Sequence, residues 1–257
     1  SNLELLKEND LAITVESSKD SEGKFNNEYR IDHPYDKQYI SLTAEGTETI
    51  GENAFSGNSD LRGIALPDSL RTIENGAFRD LRISSLEIPE GVTTIGDHAF
   101  EYCISLRSVS IPDSVSSIGK YAFRYCSSLE NMKLSSGIKV VPEGMLNGCH
   151  SMKLFEIPDG VTEIGAYSLP DEVTDLYIPE SVTDIDELAF ADCIHRYSMG
   201  ICGKAGSQAQ KTASKLGIFF VPDSEMVNPD PDINKDGAVN IIDYLYLKSA
   251  LLSDTDC

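Results

Sequence analysis

Near its C-terminus the chain reads DINKDGAVNIID over residues 232–243. Asp232, Asn234 and Asp236 alternate along the first five positions of that stretch, with Gly237, Ala238, Asn240 and Asp243 at the sixth, seventh, ninth and twelfth. Short oxygen-bearing side chains on alternate residues converge on one hard cation when the loop wraps around it. Glycine permits the sharp bend, and the seventh position supplies only its backbone carbonyl, so alanine suffices there. The pattern predicts one Ca2+ ion. Asp232, Asn234, Asp236 and Asp243 would give side-chain oxygens, Ala238 its carbonyl, and Asn240 a direct or water-mediated contact. A helix is expected to follow, in DYLYLKSALL, with Leu245, Leu247, Leu251 and Leu252. The plainer alternative, a polar turn ahead of a helix, leaves so many matched positions unexplained.

Other candidates for chemistry fall away. GICGKAGS (200–207) has two residues between Gly200 and Gly203 where a phosphate loop needs four, and Ala205 follows Lys204. Its glycines suit a tight turn into a helix. No G-x-S-x-G occurs, and His33, His98, His150 and His195 show neither a paired metal spacing nor the context of a base. Acidic pairs such as Asp171–Glu172 and Asp184 with Asp186 read as solvated turns in so acidic a chain. The chain is therefore not expected to be an enzyme.

What surrounds these residues is a repeat. Ile50, Ile73, Ile95, Ile118, Val141, Ile164 and Ile185 open related phrases, at steps of 23, 22, 23, 23, 23 and 21 residues. A fixed period in this range marks a solenoid. The best-preserved phrase is I-G-x-x-A-F-x-x-C-x-x-L-x-x-V-x-I-P-[DE]-[SG]-V. Val109-Ser110-Ile111 alternates like a short strand with one buried face. Pro112 ends it, lacking an N–H for a ladder. Gly119 to Leu129 fits a short helical turn that sends Phe123 and Cys126 inward. No unit covers its own apolar face, so neighbours must stack over one continuous core. The sixth unit is two residues short and lacks the cysteine, which predicts irregularity opposite the strands there.

These phrases resemble the BspA-like leucine-rich repeats of bacterial surface and secreted proteins, over about residues 38–222. The resemblance implies an α/β fold: a right-handed leucine-rich-repeat solenoid of about seven units with terminal caps, and a small EF-hand-like loop–helix tail. Residues 1–37 would cap one end. YSMGICGKAGSQAQKTASKLGIFFVP would close the other, with a strand, a turn, a helix from about Ser207 to Leu216 and a closing strand through Phe220. Residues 223–231 read as a linker and 232–257 as the calcium segment. With asparagine at the ninth loop position and aspartate at the twelfth, that segment resembles a dockerin repeat. The likeness implies a cohesin-like partner met through Ile241, Ile242 and Lys248. Ser249 departs from the basic pair of that family, and a single repeat departs from its usual two.

Composition narrows the partners. The 257 residues carry 21 basic and 42 acidic side chains, a formal net charge of −21, which disfavours nucleic acid and anionic membrane. No apolar run is long enough to span a bilayer, so no membrane insertion is expected. Cys103, Cys126 and Cys149 recur every 23 residues, and Cys193 takes the same slot later; they read as a ladder of small buried thiols. A protein partner is expected on the outward row of the strands, at Asn131, Lys133, Glu156 and Tyr177. The functional expectation is a secreted or cell-surface, non-catalytic interaction or adhesion protein. The alternative is a carbohydrate-binding accessory subunit of a polysaccharide-degrading complex, although the chain has no tryptophan for a sugar platform.

Overall fold

A computed structural model describes residues 47–225 apart from 60 and 195–198, together with three short strands nearer the N-terminus. Of these, β1 (Ser17–Lys19) and β2 (Phe25–Asn27) pair antiparallel, within the stretch expected as the N-terminal cap. The third, β3 (Tyr39–Ser41), runs parallel to β5 (Gly63–Ala65).

From there the chain coils as a parallel β-solenoid of about seven turns, each contributing to two sheets. The first sheet type is built of two-residue strands that end on the repeating Ile or Val. These are β4 (Thr49–Ile50), β6 (Thr72–Ile73), β8 (Thr94–Ile95), β10 (Ser117–Ile118), β12 (Val140–Val141), β14 (Glu163–Ile164) and β16 (Asp184–Ile185). The second uses three-residue strands: β7 (Ser85–Glu87), β9 (Ser108–Ser110), β11 (Asn131–Lys133), β13 (Leu154–Glu156) and β15 (Asp175–Tyr177). Alternation buries the middle residue of most of these and leaves its neighbours at the surface.

The expected cap is present. β17 (Gly200–Gly203) pairs with β15, α1 (Gln208–Leu216) follows, and β18 (Phe219–Pro222) pairs back on β17. Helix α1 starts after Ser207 and stops at Gly217, whose φ of 69° is a left-handed cap. It presses Ala209 and Ala213 onto the end of the core, shielding the last turn's apolar face from water. The segment expected as a linker opens with a 3₁₀ turn, Asp223–Glu225.

The helical turn expected over Gly119–Leu129 is not a helix, and α1 is the sole α-helix among the described residues. The segments opposite the strands are chains of tight turns instead. Their N–H groups alternate between a carbonyl three residues back and the next turn of the solenoid. Arg124 donates to Tyr121, whereas Tyr121, Phe123 and Tyr125 donate to Glu143, Met145 and Asn147 at 2.9, 3.1 and 2.8 Å. Donors committed to a neighbouring turn are lost to i→i−4 bonding, so no helix closes. Two slots per turn reach this geometry through left-handed backbone. One holds Asn53, Gly76, His98, Tyr121, Gly144 and Tyr167, and the other Gly57, Asp80, Tyr102, Tyr125 and Gly148.

The core is a set of columns. Phe55, Phe78, Phe100 and Phe123 stack at centroid spacings of 5.5, 5.4 and 5.0 Å. Beside them Cys103, Cys126 and Cys149 are buried and not disulfide-bonded. Each thiol donates to the carbonyl of the phenylalanine one turn back: Phe78, Phe100 and Phe123, at 3.1, 3.2 and 3.3 Å. Cys193 makes a comparable contact to the Pro170 carbonyl.

Both sheets break between the fourth and fifth turns. Elsewhere the residue after the repeating Ile or Val donates to that residue one turn back, as in Gly96 to Ile73, Gly119 to Ile95 and Gly165 to Val141 at 2.8–2.9 Å. In the fifth turn this slot is Pro142, which has no N–H to offer Ile118. On the other sheet Leu134-Ser135 replaces the usual Ile-Pro, and β11 does not pair with β13. The turn-side bonds from Tyr121, Phe123 and Tyr125 to Glu143, Met145 and Asn147 carry the chain across this junction.

Candidate functional site

The outward strand row is where the alternation placed it. Asn131 and Lys133 are exposed on β11, opposite Ser108 and Ser110 of β9. Glu156 of β13 lies opposite Tyr177 of β15. Burial raises the Glu156 carboxyl above its usual range, with the charge of Asp159 adding to the effect. Burial raises the Tyr177 phenol likewise. The break between β11 and β13 separates Lys133 from Glu156, so the row does not form one paired ladder. Asp232, Asn234, Asp236, Ala238, Asn240 and Asp243, with Ile241, Ile242 and Lys248, lie outside the described residues. Among the described residues no cluster of three His, Cys, Asp or Glu side chains could hold a metal, and no helix is long and apolar enough to cross a membrane.

A denser constellation lies on the turn side. Glu101 is the one buried acidic side chain among the described residues, with 3% of it exposed. Arg79 Nε stands 3.1 Å from its carboxylate, His98 Nδ1 3.1 Å and Arg124 Nη1 3.6 Å. Arg79, Glu101, Arg124 and Asn147 occupy the same slot of four successive turns. Arg124 continues the column by donating from Nε to Asn147 at 3.2 Å. Asn147 then reaches across the shortened sixth turn to Asp192 at 2.7 Å. That is the irregularity which the missing residues predict.

Aromatic pairs flank this column. His98 stacks on Tyr121 at 5.1 Å and Tyr102 on Tyr125 at 4.9 Å. The Arg124 guanidinium lies over both tyrosines of the fourth turn, 5.3 Å from Tyr121 and 4.5 Å from Tyr125, and donates to the Tyr125 hydroxyl. Arg79 lies 5.8 Å from the Tyr102 ring. Tyr121 donates its hydroxyl to Glu143, which Lys120 also meets at 2.9 Å. These bonds hold the Glu143 carboxyl below its usual range and push the Tyr121 phenol up.

All four flanking rings sit on left-handed residues, with φ of 56° at His98, 61° at Tyr102, 58° at Tyr121 and 58° at Tyr125. For a residue with a Cβ this conformation costs roughly 1–2 kcal/mol. Most other turns fill the same slots with glycine, asparagine or aspartate, which adopt it more readily, and the sixth turn places Tyr167 there at φ 55°. Stacking and cation–π contacts, about 0.5–1.5 kcal/mol each, offset the cost. The next turn accommodates the rings: a Cβ on Gly144 would fall 2.1 Å from Tyr121 Cδ1, and one on Gly148 2.2 Å from Tyr125 Cδ1. The strand alternation gave no hint of this cluster. Writing the repeats beneath one another does, because it sets Arg79, Glu101, Arg124 and Asn147 in one column between two aromatic columns.

Comparison with known proteins finds similarity over the repeats. Residues 48–172 match the model of the BspA type leucine rich repeat region, in six copies. Among solved structures, the chain is 27% identical to a leucine rich cell surface protein of Faecalibacterium prausnitzii, covering 68% of this chain and 62% of that one, with a TM-score of 0.41. A leucine rich repeat protein of T. pallidum is 28% identical over 72% of each chain, with a TM-score of 0.47. A leucine-rich repeat protein of Bacteroides ovatus is 22% identical over 65% of this chain and 55% of that one, at 0.46. The chain thus spans less than two thirds of the F. prausnitzii and B. ovatus proteins. No curated protein matches. Residues 48–172, with their columns of phenylalanine and cysteine, are thus similar to the BspA type leucine rich repeat region.

Proposed function

We propose that this chain is a non-catalytic binding protein, secreted or displayed at a cell surface, whose solenoid presents a rigid patch to a partner. The observation that carries the reading is the cluster around Glu101. Four rings are held in a costly backbone conformation at slots where glycine serves elsewhere, and strain of that kind gathers at functional sites. Tyrosine and arginine also dominate the energetics of recognition surfaces. Each ring is already immobilised by its stack, so a partner would lose little side-chain freedom on docking. The strand row, with Asn131, Lys133, Glu156 and Tyr177, offers a second and less concentrated surface.

The C-terminal segment would attach this binder elsewhere. In this reading Asp232, Asn234, Asp236, Ala238, Asn240 and Asp243 bind one Ca2+, and Ile241, Ile242 and Lys248 face a cohesin-like partner. Without the ion the crowded acidic side chains repel, so binding and ordering are coupled. Affinity is expected at roughly 10⁻⁴ M, as in extracellular calcium modules. Calorimetry with calcium tests the segment: one site lost in Asp236→Ala supports it, and heat unchanged by that substitution refutes it. Turnover of a glycan or peptide by the purified chain, abolished by substitution of a solenoid carboxylate, would overturn the non-catalytic reading.

A further inference from the structure

Successive turns of the solenoid are tied by the ladders of its two sheets and by the N–H row of the turn side. At one interface, between the turn of β10 and β11 and that of β12 and β13, both ladders fail together. Pro142 has no N–H for Ile118. Ser116 donates to the Thr93 carbonyl and Glu130 to that of Arg107, but the same bonds one turn on, to Ser116 and Glu130 themselves, are absent among the described residues. Strands β5 and β7 are unpaired too, yet β4, β6 and β8 run unbroken beside them. The core changes at the same interface. The phenylalanine stack reaches Phe123, and the next turn is filled by Met145, Leu146 and Met152, all buried. Methionine is unbranched and adapts to a cavity that changes shape.

Two attachments survive, and they lie opposite one another. The chain order around one turn is short strand, turn side, longer strand, proline corner. The turn side and the corner therefore face each other across the core, with one sheet on either hand. On the turn side Tyr121, Phe123 and Tyr125 keep their backbone bonds to the next turn, and the Tyr121 hydroxyl and Lys120 both hold Glu143. At the corner the covalent chain crosses through Leu134–Lys139. Its first half is tied back to the preceding turn: the Ser135 hydroxyl donates to the Val115 carbonyl and accepts from the Gly137 N–H, and the Ser136 N–H donates to Asp113 at 3.0 Å. By Lys139 the chain belongs to the following turn, whose Thr162 N–H donates to its carbonyl at 2.8 Å. The change of allegiance falls between Gly137 and Lys139.

We propose that the solenoid is two rigid blocks, one from β4 to β11 and the other from β12 to β18, joined by a hinge. They rock about the line from the turn-side seam to the Gly137 corner, so that one sheet opens as the other closes. Packed elements with few cross-bonds supply hinges of this kind. The Glu101 carboxylate, Arg79, Tyr102 and Tyr125 move as one body in the first block. Asn131 and Lys133 stand on one side of the hinge and Glu156 and Tyr177 on the other, so rocking alters the spacing along the strand row. A partner spanning that row selects one angle from those available.

The test is double electron–electron resonance on the full chain, with spin labels carried on introduced amino acids other than cysteine. One pair replaces Thr49 and Ser117 within the first block. The other replaces Thr94 and Glu163, an equal number of turns apart but across the junction. The second pair should give a distance distribution about twofold broader than the first. Pro142→Ala restores the N–H and should bring that width down to the value within the block, with the restored amide protected from exchange. Loss of a proline by itself loosens a chain, so narrowing separates a missing donor from general flexibility. Tyr121→Phe unties Glu143 from the seam and should broaden the distribution further. Amide exchange at Phe123 should match that at Phe100 within about tenfold. Equal widths for the two pairs in the parent chain would refute the hinge. A width that Pro142→Ala leaves unchanged or increases would refute the lost donor as its origin. A width untouched by Tyr121→Phe, or far faster exchange at Phe123, would refute the turn-side pivot.

Discussion

Ser168 offers a substitution that should stabilise the fold. It fills the slot that Ala77, Ala99, Ala122 and Ala189 occupy in other turns, and it is fully buried. Its backbone carbonyl accepts from the Leu146 N–H, but its hydroxyl oxygen has no hydrogen-bond partner. A buried hydroxyl left unmatched costs about 1–3 kcal/mol, against which the contacts of one oxygen atom count for little. Ser168→Ala needs no repacking, since five equivalent turns, counting that of Ala54, already carry alanine. The expected gain is about 1–2 kcal/mol. At roughly 2–4 °C per kcal/mol for a chain of this size, the melting temperature should rise by about 2–8 °C. Urea unfolding followed by circular dichroism should show a higher midpoint at an unchanged slope. The reciprocal change, Ala122→Ser, places the same hydroxyl in a fully buried slot and should lower stability by a similar amount. A midpoint that stays level or falls in Ser168→Ala would refute the claim that this hydroxyl is unsatisfied.

Three further outcomes follow from the columns. Burial pushes the Cys103 thiol up to about 12 from its ordinary 9.0, and pushes Cys126 and Cys149 up as well. Folding then favours the neutral thiols, so stability is fully present below about pH 9 and falls as pH rises from there toward 12, by about 1.4 kcal/mol per pH unit per thiol. Unfolding curves between pH 8 and 10.5 should be shallower in pH for Cys103→Ala than for the parent, and an unchanged dependence would refute the linkage. The same thiols should stay unreactive to an alkylating reagent until unfolding, and then all react without prior reduction. Gly148→Ala should cost about 2–3 kcal/mol, from left-handed strain plus displacement of the Tyr125 ring and its stack. Gly57→Ala, at φ 73° with nothing within 4 Å of the added Cβ, should cost the strain alone, about 1 kcal/mol. Equal losses in a thermal melt would show that the Tyr125 ring is not held against Gly148.

The period, the slots that face inward, the cysteine column and the terminal cap are legible in the order of residues alone. Each of these depends on residue type at a fixed spacing: a solenoid core is shared between identical slots, and Ala209 and Ala213 need only helical periodicity to close it. The departure at the sixth unit was legible for the same reason, as two missing residues that bring Asn147 to Asp192. How the backbone between the slots is bonded depends on the stacking of one turn on the next. Phe123 and Cys126 point inward as a helical turn would send them, yet the intervening N–H groups bond to the next turn, and such partners are absent from any local pattern. The interruption at Pro142 is visible as a proline in the sequence. It becomes a break in the sheet only because the lost donor faces Ile118, 24 residues back. The Glu101 cluster belongs to the same class. Arg79, Glu101 and Arg124 stand 22 and 23 residues apart, unremarkable as single charges in so acidic a chain. Stacking successive turns at about 5 Å makes them one buried-carboxylate column walled by strained aromatic rings.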